Sequence, residues 1–224
     1  HRTFASLRFR NYRLYFTSQA ISFSGTWMQS VAQAWLVLQL TGSGTALGTV
    51  MAMQFLPTLL LAPVGGMLAD RFDKRNLIIG TQLAAGTLAM TLGVITLTGV
   101  VELWMVYALA VGFGTVTALD NPSRQTFVME MVGADDISNA VTLNSVVVNA
   151  ARAVGPAIAG VMIATVGIGA CFVVNSLSDI AVVIAFRNRG RRAGSSQPHA
   201  HSQIVALDRV PNGIAQRDAR ARAH

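Results

Sequence analysis

The 224-residue chain is 52% hydrophobic and 12% charged, about half the charged share of a soluble domain, which excludes an ordinary water-soluble fold. A net charge of +7 does not point to nucleic acid, because the basic residues form no face or stripe. Of 17 Lys and Arg, four precede Leu14, three lie in 71–75 and eight follow Phe186, leaving only Arg124 and Arg152 between.

The run Leu14–Ala69 holds 56 residues without a charge, whereas a lipid-spanning helix needs about 20 apolar residues. Thr41-Gly42-Ser43-Gly44-Thr45 divides it into spans Leu14–Leu40 and Ala46–Ala69, and the charged cluster from Asp70 to Arg75 returns the chain to water. A third span falls within Asn76–Leu97, a fourth at Leu103–Leu119, a fifth at Leu143–Val166 and a sixth at Ala170–Phe186. The turns at 41–45, 98–102 and 166–170 carry no Lys or Arg. By the positive-inside rule the basic ends then face the cytoplasm, with both termini on that side of a cell membrane. The expected organisation is a cytoplasmic segment 1–13, a six-helix all-α membrane bundle 14–186, and a polar basic tail 187–224 too poor in apolar residues to fold.

The longest inner connection is expected at 120–142. Pro122 is expected to stop the fourth span, since the residue before a proline is pushed from helical angles, and Ser123–Val132 then reads as a surface helix or a plain loop. Pro63 with Gly65 and Gly66 in the second span, and Pro156 between Gly155 and Gly160 in the fifth, place a break in the second helix of each group of three. Inverted three-helix repeats with interrupted helices build many secondary transporters. Cys171, in an apolar run away from every histidine, reads as a packing residue. No cofactor or metal is expected.

Gly66-Met67-Leu68-Ala69-Asp70-Arg71-Phe72-Asp73-Lys74-Arg75 resembles the loop signature between the second and third helices of the major facilitator superfamily. Gly66, Asp70, Arg71, Lys74 and Arg75 match it, and Asp73 replaces its second glycine. The resemblance implies that the glycine permits close helix contact and that the Asp-Arg pair steadies the outward-facing state. The segment Asp120-Asn121-Pro122-Ser123-Arg124-Gln125 is similar to the fourth-helix ending of the bacterial enterobactin-exporter and transmembrane secretion effector branch. The stretch Arg152 to Gly160 is similar to the fifth-helix motif of exporters, with Gly155, Pro156 and Gly160 matching and alanines at 151 and 159 where the fuller pattern has glycines. The likeness covers about residues 6–186.

Arg152 and Asp179 lie inside predicted spans at similar depth. A charge at the bilayer centre costs about 2.5–3.5 kcal/mol on insertion scales and usually pairs or faces a cavity, so an Arg152–Asp179 ion pair is expected, with Asp120 or a backbone carbonyl as the alternative partner of Arg152. Gln29, Gln33, Gln54, Asn144, Asn149 and Asn175 are further polar groups within spans. Interhelical bonding is their ordinary role, and Gln54, three residues before the kinking Pro57, is the candidate for substrate contact.

The resemblance implies secondary active transport: proton-coupled efflux of a drug, siderophore or other small lipophilic compound, with the lipid bilayer, a small-molecule substrate and the proton as partners. Superfamily members have two six-helix bundles, and this chain supplies one. A truncated or frame-shifted chain, a half joined by a separate second bundle, and a homodimer each answer to that. Loss of likeness after about residue 190 favours the first. The other class is a transport-inactive membrane remnant or scaffold. An ATP-driven exporter is disfavoured by the short loops and the lack of a Gly-Lys-Ser/Thr phosphate loop, and an enzyme by the lack of a nucleophile–base pair.

Overall fold

The computed structural model describes residues 10–132 and 137–187. They form six helices: α1 (Arg10–Thr41), α2 (Gly44–Arg71), α3 (Lys74–Leu97), α4 (Leu103–Val132), α5 (Ile137–Thr165) and α6 (Ile168–Arg187). By length and composition α2, α3, α4 through Val128, and α5 can each cross a membrane, and α6 adds a shorter apolar stretch, Ile168–Ile180. The 32-residue α1 is long enough but carries more polar groups, of which Ser18, Gln19, Ser22, Gln29 and Gln33 are buried. The expected terminal segments lie largely outside the described residues, as does residue 133–136.

Each of the turns at 41–45, 98–102 and 166–170 closes on a glycine in the left-handed region, Gly42 (φ 63°), Gly99 (φ 73°) and Gly167 (φ 93°), which only glycine adopts without cost. Such short connections force reversal, yet successive helices are not the main packing partners. The principal pairs are α2 with α4, α3 with α6, α1 with α5, α1 with α6 and α3 with α4. Exchanging the first three helices for the last three maps this set onto itself, as the expected 3+3 repeat requires. Because α1 and α5 run in one direction, and α2 and α4 in the other, those two pairs pack parallel.

Small residues let these backbones meet, as packing in lipid demands. A β-carbon at Gly65 would run into the Ala118 carbonyl oxygen, and one at Gly114 into that of Gln54. Thr58 Oγ1 donates to the Gly114 carbonyl across the same seam (2.9 Å). The equivalent seam on the other side uses Gly155, where a β-carbon would lie 2.6 Å from Trp27 Cβ and 2.7 Å from the Ser24 carbonyl oxygen. Gly66 and Gly160, by contrast, have open space where a side chain would stand. The close contact expected of the loop-signature glycine is therefore made by its neighbour, Gly65.

One expectation fails at Pro122: α4 continues through it to Val132, and neither a loop from 120 nor a separate surface helix at 123–132 forms. Proline deprives the Ala118 carbonyl of its helical partner, but neighbouring helices and local side chains commonly sustain such a helix in a membrane protein. Here Ala118 is pressed against Gly65. Ser123 Oγ bonds the Leu119 carbonyl (2.8 Å) and Thr126 Oγ1 that of Pro122 (2.9 Å).

Two apolar cores occupy opposite ends of the bundle. One, near the glycine turns, includes Leu36, Val50, Leu92, Val106, Cys171 and Phe172; the other, at the opposite end, includes Tyr15, Ile78, Phe127, Val128, Leu143 and Val182. Between them lies a polar layer. Replacing Gly65 by Ala is expected to lower stability by about 1–3 kcal/mol through overpacking, while Gly66→Ala should be near neutral. Thermal unfolding of the two variants in the same detergent tests this difference.

Candidate functional site

The polar layer begins with a stripe on α1. Gln19, Ser22, Thr26, Gln29 and Gln33 recur at spacings of three and four, which places them along one helical face. All but Thr26 are buried, and four of the five line a cavity of about 100 Å³. Gln54 of α2, Gln82 of α3, Asp120 and Arg124 of α4, and Asn175 and Asp179 of α6 complete its polar wall. That volume holds a few waters or a small cation, not a drug-sized molecule.

Arg124 is the hub. Its side chain is 8% exposed, and its Nε pairs with Asp120 one turn earlier while Nη1 donates to Gln19 Oε1. Phe23 lies under the guanidinium at 5.5 Å. The other carboxylate oxygen of Asp120 accepts from Thr81 Oγ1 on α3 (2.6 Å), so one ion pair ties α1, α3 and α4 together. Ser123, which follows the predicted break, is fully buried beside it.

Asp179 is 2% exposed. Ser22 Oγ lies 3.3 Å from Asp179 Oδ1 and 3.3 Å from Gln82 Oε1, and its single proton can serve one of them at a time. Arg124, Asp120 and Asp179 line the same cavity. One helical turn further toward the glycine turns, Asn175 Nδ2 donates to Gln29 Oε1 (2.6 Å), and Ser176 Oγ donates to the Gly86 carbonyl (2.7 Å). Gln19 Nε2 is a buried donor with no acceptor among the described residues.

The expected Arg152–Asp179 pair is not formed, which corrects the sequence reading. Arg152 is exposed and its guanidinium lies 4.9 Å from the Trp27 ring centroid. Asp120, its alternative partner, is engaged by Arg124. α5 packs chiefly on α1 rather than on α6, and its buried face of Leu143, Val147, Ala151, Gly155 and Ala159 leaves Arg152 to one side.

The loop-signature residues stand apart from the cavity. Asp70 and Arg71 are exposed at the end of α2, while Lys74 and Arg75 are half-buried at the start of α3. Asp73 is the N-cap of α3, accepting from the Asn76 amide (2.9 Å) at an extended backbone angle. An N-cap favours Asp over glycine, which accounts for the departure from the family pattern. Pro156 is half-buried and Gly160 exposed on α5, and Gln54 is half-buried on the cavity wall. Sequence reasoning missed Gln19, Ser22, Gln82 and Thr81. The three-and-four spacing along α1 was the signal that identifies the first two.

The profile of the family described as transmembrane secretion effector matches residues 1–207, so likeness continues past residue 190, where it was expected to stop. The uncharacterised MFS-type transporter YfiS of Bacillus subtilis is 31% identical over 203 residues, covering 88% of this chain and 46% of that one. A staphyloferrin A transporter of Staphylococcus aureus is 29% identical, covering 68% and 38%. A multidrug efflux pump, Tap, of Mycobacterium tuberculosis is 31% identical, covering 64% and 36%. The chain thus spans less than half the length of these curated relatives. No solved structure matches.

Removing one partner of a buried ion pair costs about 3–5 kcal/mol, because the other charge is left uncompensated. Arg124→Gln is therefore expected to reduce folded yield sharply, and Arg124→Gln with Asp120→Asn to recover part of it. For Arg152→Gln and Asp179→Asn the effects should add within about 0.5 kcal/mol, as for separate sites. Double-mutant cycles on thermal stability in detergent test both statements.

Proposed function

Because the chain belongs to the transmembrane secretion effector family of the major facilitator superfamily, a family of transporters and not enzymes, we propose that it works in secondary active transport, as proton-coupled export of a small lipophilic compound. It is a multi-pass membrane protein. The observation that carries the reading is the small cavity of about 100 Å³ where Asp179, Asp120 and Arg124 meet between two apolar cores. Ionisable groups within membrane helices mark ion pathways and proton relays, and this cluster is internal rather than lipid-facing.

In this reading Asp179 is the coupling site. Its one hydrogen-bond donor among the described residues, Ser22, is shared with Gln82, so the carboxylate is lightly held compared with Asp120, which has both Arg124 and Thr81. Protonation of Asp179 releases Ser22 to Gln82 and removes one negative charge from the field of Arg124. Such a change loosens the joint among α1, α3 and α6. The Asp70–Arg75 loop and the Gly155-Pro156-Gly160 segment act as gating elements, and Gln54 contacts substrate beside Pro57. Both termini lie on the cytoplasmic face, next to the basic residues.

The limited span of the relatives that this chain covers favours one further reading, that a second six-helix bundle completes the substrate path. Met51, Phe55, Leu59 and Leu60 leave α2 with an exposed apolar surface suited to lipid or to that bundle. Proteoliposomes containing the chain, given an inward-directed or outward-directed pH jump, should show gradient-dependent flux of a lipophilic fluorescent carboxylate. Asp179→Asn should keep the helical content and lose the dependence on the gradient. Equal flux with and without the gradient would remove proton coupling, and absence of flux would support a scaffold or a half that needs its partner.

A further inference from the structure

Exposed residues of α5 divide into two kinds. Thr142, Ser145, Asn149 and Arg152, spaced three, four and three apart, form one polar stripe, whereas Val146, Ala150, Ala153, Val154 and Ala157 are apolar. The stripe climbs from the first turns of the 29-residue helix to its midpoint, where Arg152 stands. The first three polar side chains satisfy themselves locally: Thr142 and Ser145 donate to the carbonyls of Ser138 (2.8 Å) and Val141 (3.0 Å), and Asn149 to that of Ser145 (2.8 Å). The guanidinium of Arg152 does not. Among the described residues it has no carboxylate partner and no hydrogen-bond acceptor, only the face of Trp27 at 4.9 Å.

A charge at mid-helix is costly in lipid, and such residues pair or face the bundle interior or a water-filled cavity; Arg152 is exposed and unpaired among the described residues. Gly155 fixes the arrangement. Lacking a β-carbon, it lets α5 close on Trp27 Cβ and the Ser24 carbonyl, so Trp27 is held one turn from Arg152 and orients its planar group. The edge of the fork, with its N–H donors, is left free, and Pro156 follows one turn on as adjoining apolar surface.

We propose that Arg152, seated on Trp27, is a binding site for the anionic group of an amphipathic organic acid entering the path. A planar guanidinium engages a carboxylate through two parallel N–H···O bonds, while the ligand's carbon skeleton lies along the apolar side of α5. This deepens the transport reading by naming a substrate class and rests on that reading only for the ligand's role as cargo. The site is distinct from the Asp179 cavity, whose volume of about 100 Å³ suits a proton or water.

The test uses the full chain in lipid nanodiscs with Trp35→Phe and Trp104→Phe, leaving Trp27 as the one tryptophan. Iodide should quench its emission in preference to neutral acrylamide, and octanoate should protect against iodide where octanol does not. Arg152→Gln should abolish the iodide preference and the protection, a several-fold loss in quenching constant, at unchanged helical content. Arg152→Lys should keep the preference for iodide but weaken protection by octanoate, since lysine lacks the fork; it decides the matter if the Gln variant fails to fold. Protection by octanol equal to that by octanoate, or unchanged quenching in Arg152→Gln, would overturn the proposal. Anion binding without flux would sink the transport reading alone, and flux without anion binding would sink this one alone.

Discussion

In lipid a polar group has no water to fall back on, and the architecture follows from where this chain puts the polar groups it carries. The ion pair of Arg124 with Asp120 is the centre of that arrangement. Through Gln19 and Thr81 it fixes α1 and α3 to α4, and the resulting frame seats Ser22 against Asp179 on α6. Apolar packing alone discriminates poorly among helix arrangements in a bilayer, because lipid tails satisfy an apolar face as well as another helix does. Directed bonds at one level of the bundle supply the register that apolar contact leaves open.

Glycine seams work with this polar layer. Gly65 and Gly114 bring α2 against α4, and Gly155 brings α5 against α1. Both seams join helices that are not neighbours in sequence, and both lie beside prolines: Pro57 and Pro122 on one side, Pro156 on the other. A proline weakens the helix's own hydrogen bonding, and a glycine beside it lets a second backbone come close. The same residues therefore favour tight contact and leave a helix able to bend there.

Much of this was legible in sequence, because length and the absence of charge are sufficient to mark a helix in lipid. The limits of the second and third helices fall within about two residues of the apolar windows, and the three turns at 41–45, 98–102 and 166–170 stand where the sequence breaks. The end of α4 was not legible: a proline stops an isolated helix, and the packing of Ala118 on Gly65, with the Ser123 and Thr126 hydroxyl bonds, accounts for its continuing here. Nor was the partner of Asp179. Depth in the membrane follows from counting residues, but the side a residue faces depends on which helices pack together, and here they are rarely consecutive. The periodic polar stripe of α1 was the one readable clue to the inward face, hidden by the general hydrophobicity of its surroundings.

The central claim is that α1 turns Gln19, Ser22, Gln29 and Gln33 inward while Ile21 and Trp35 face outward. With Cys171 replaced by alanine, single nitroxide labels at Ile21, Ser22, Gln29, Gln33 and Trp35 in nanodiscs can be compared for collision with oxygen, which concentrates in lipid, and with a water-soluble nickel chelate. High oxygen contact at Ile21 and Trp35, with low oxygen contact at Ser22, Gln29 and Gln33, is the expected pattern. Oxygen contact at those three positions equal to that at Ile21 would contradict the account.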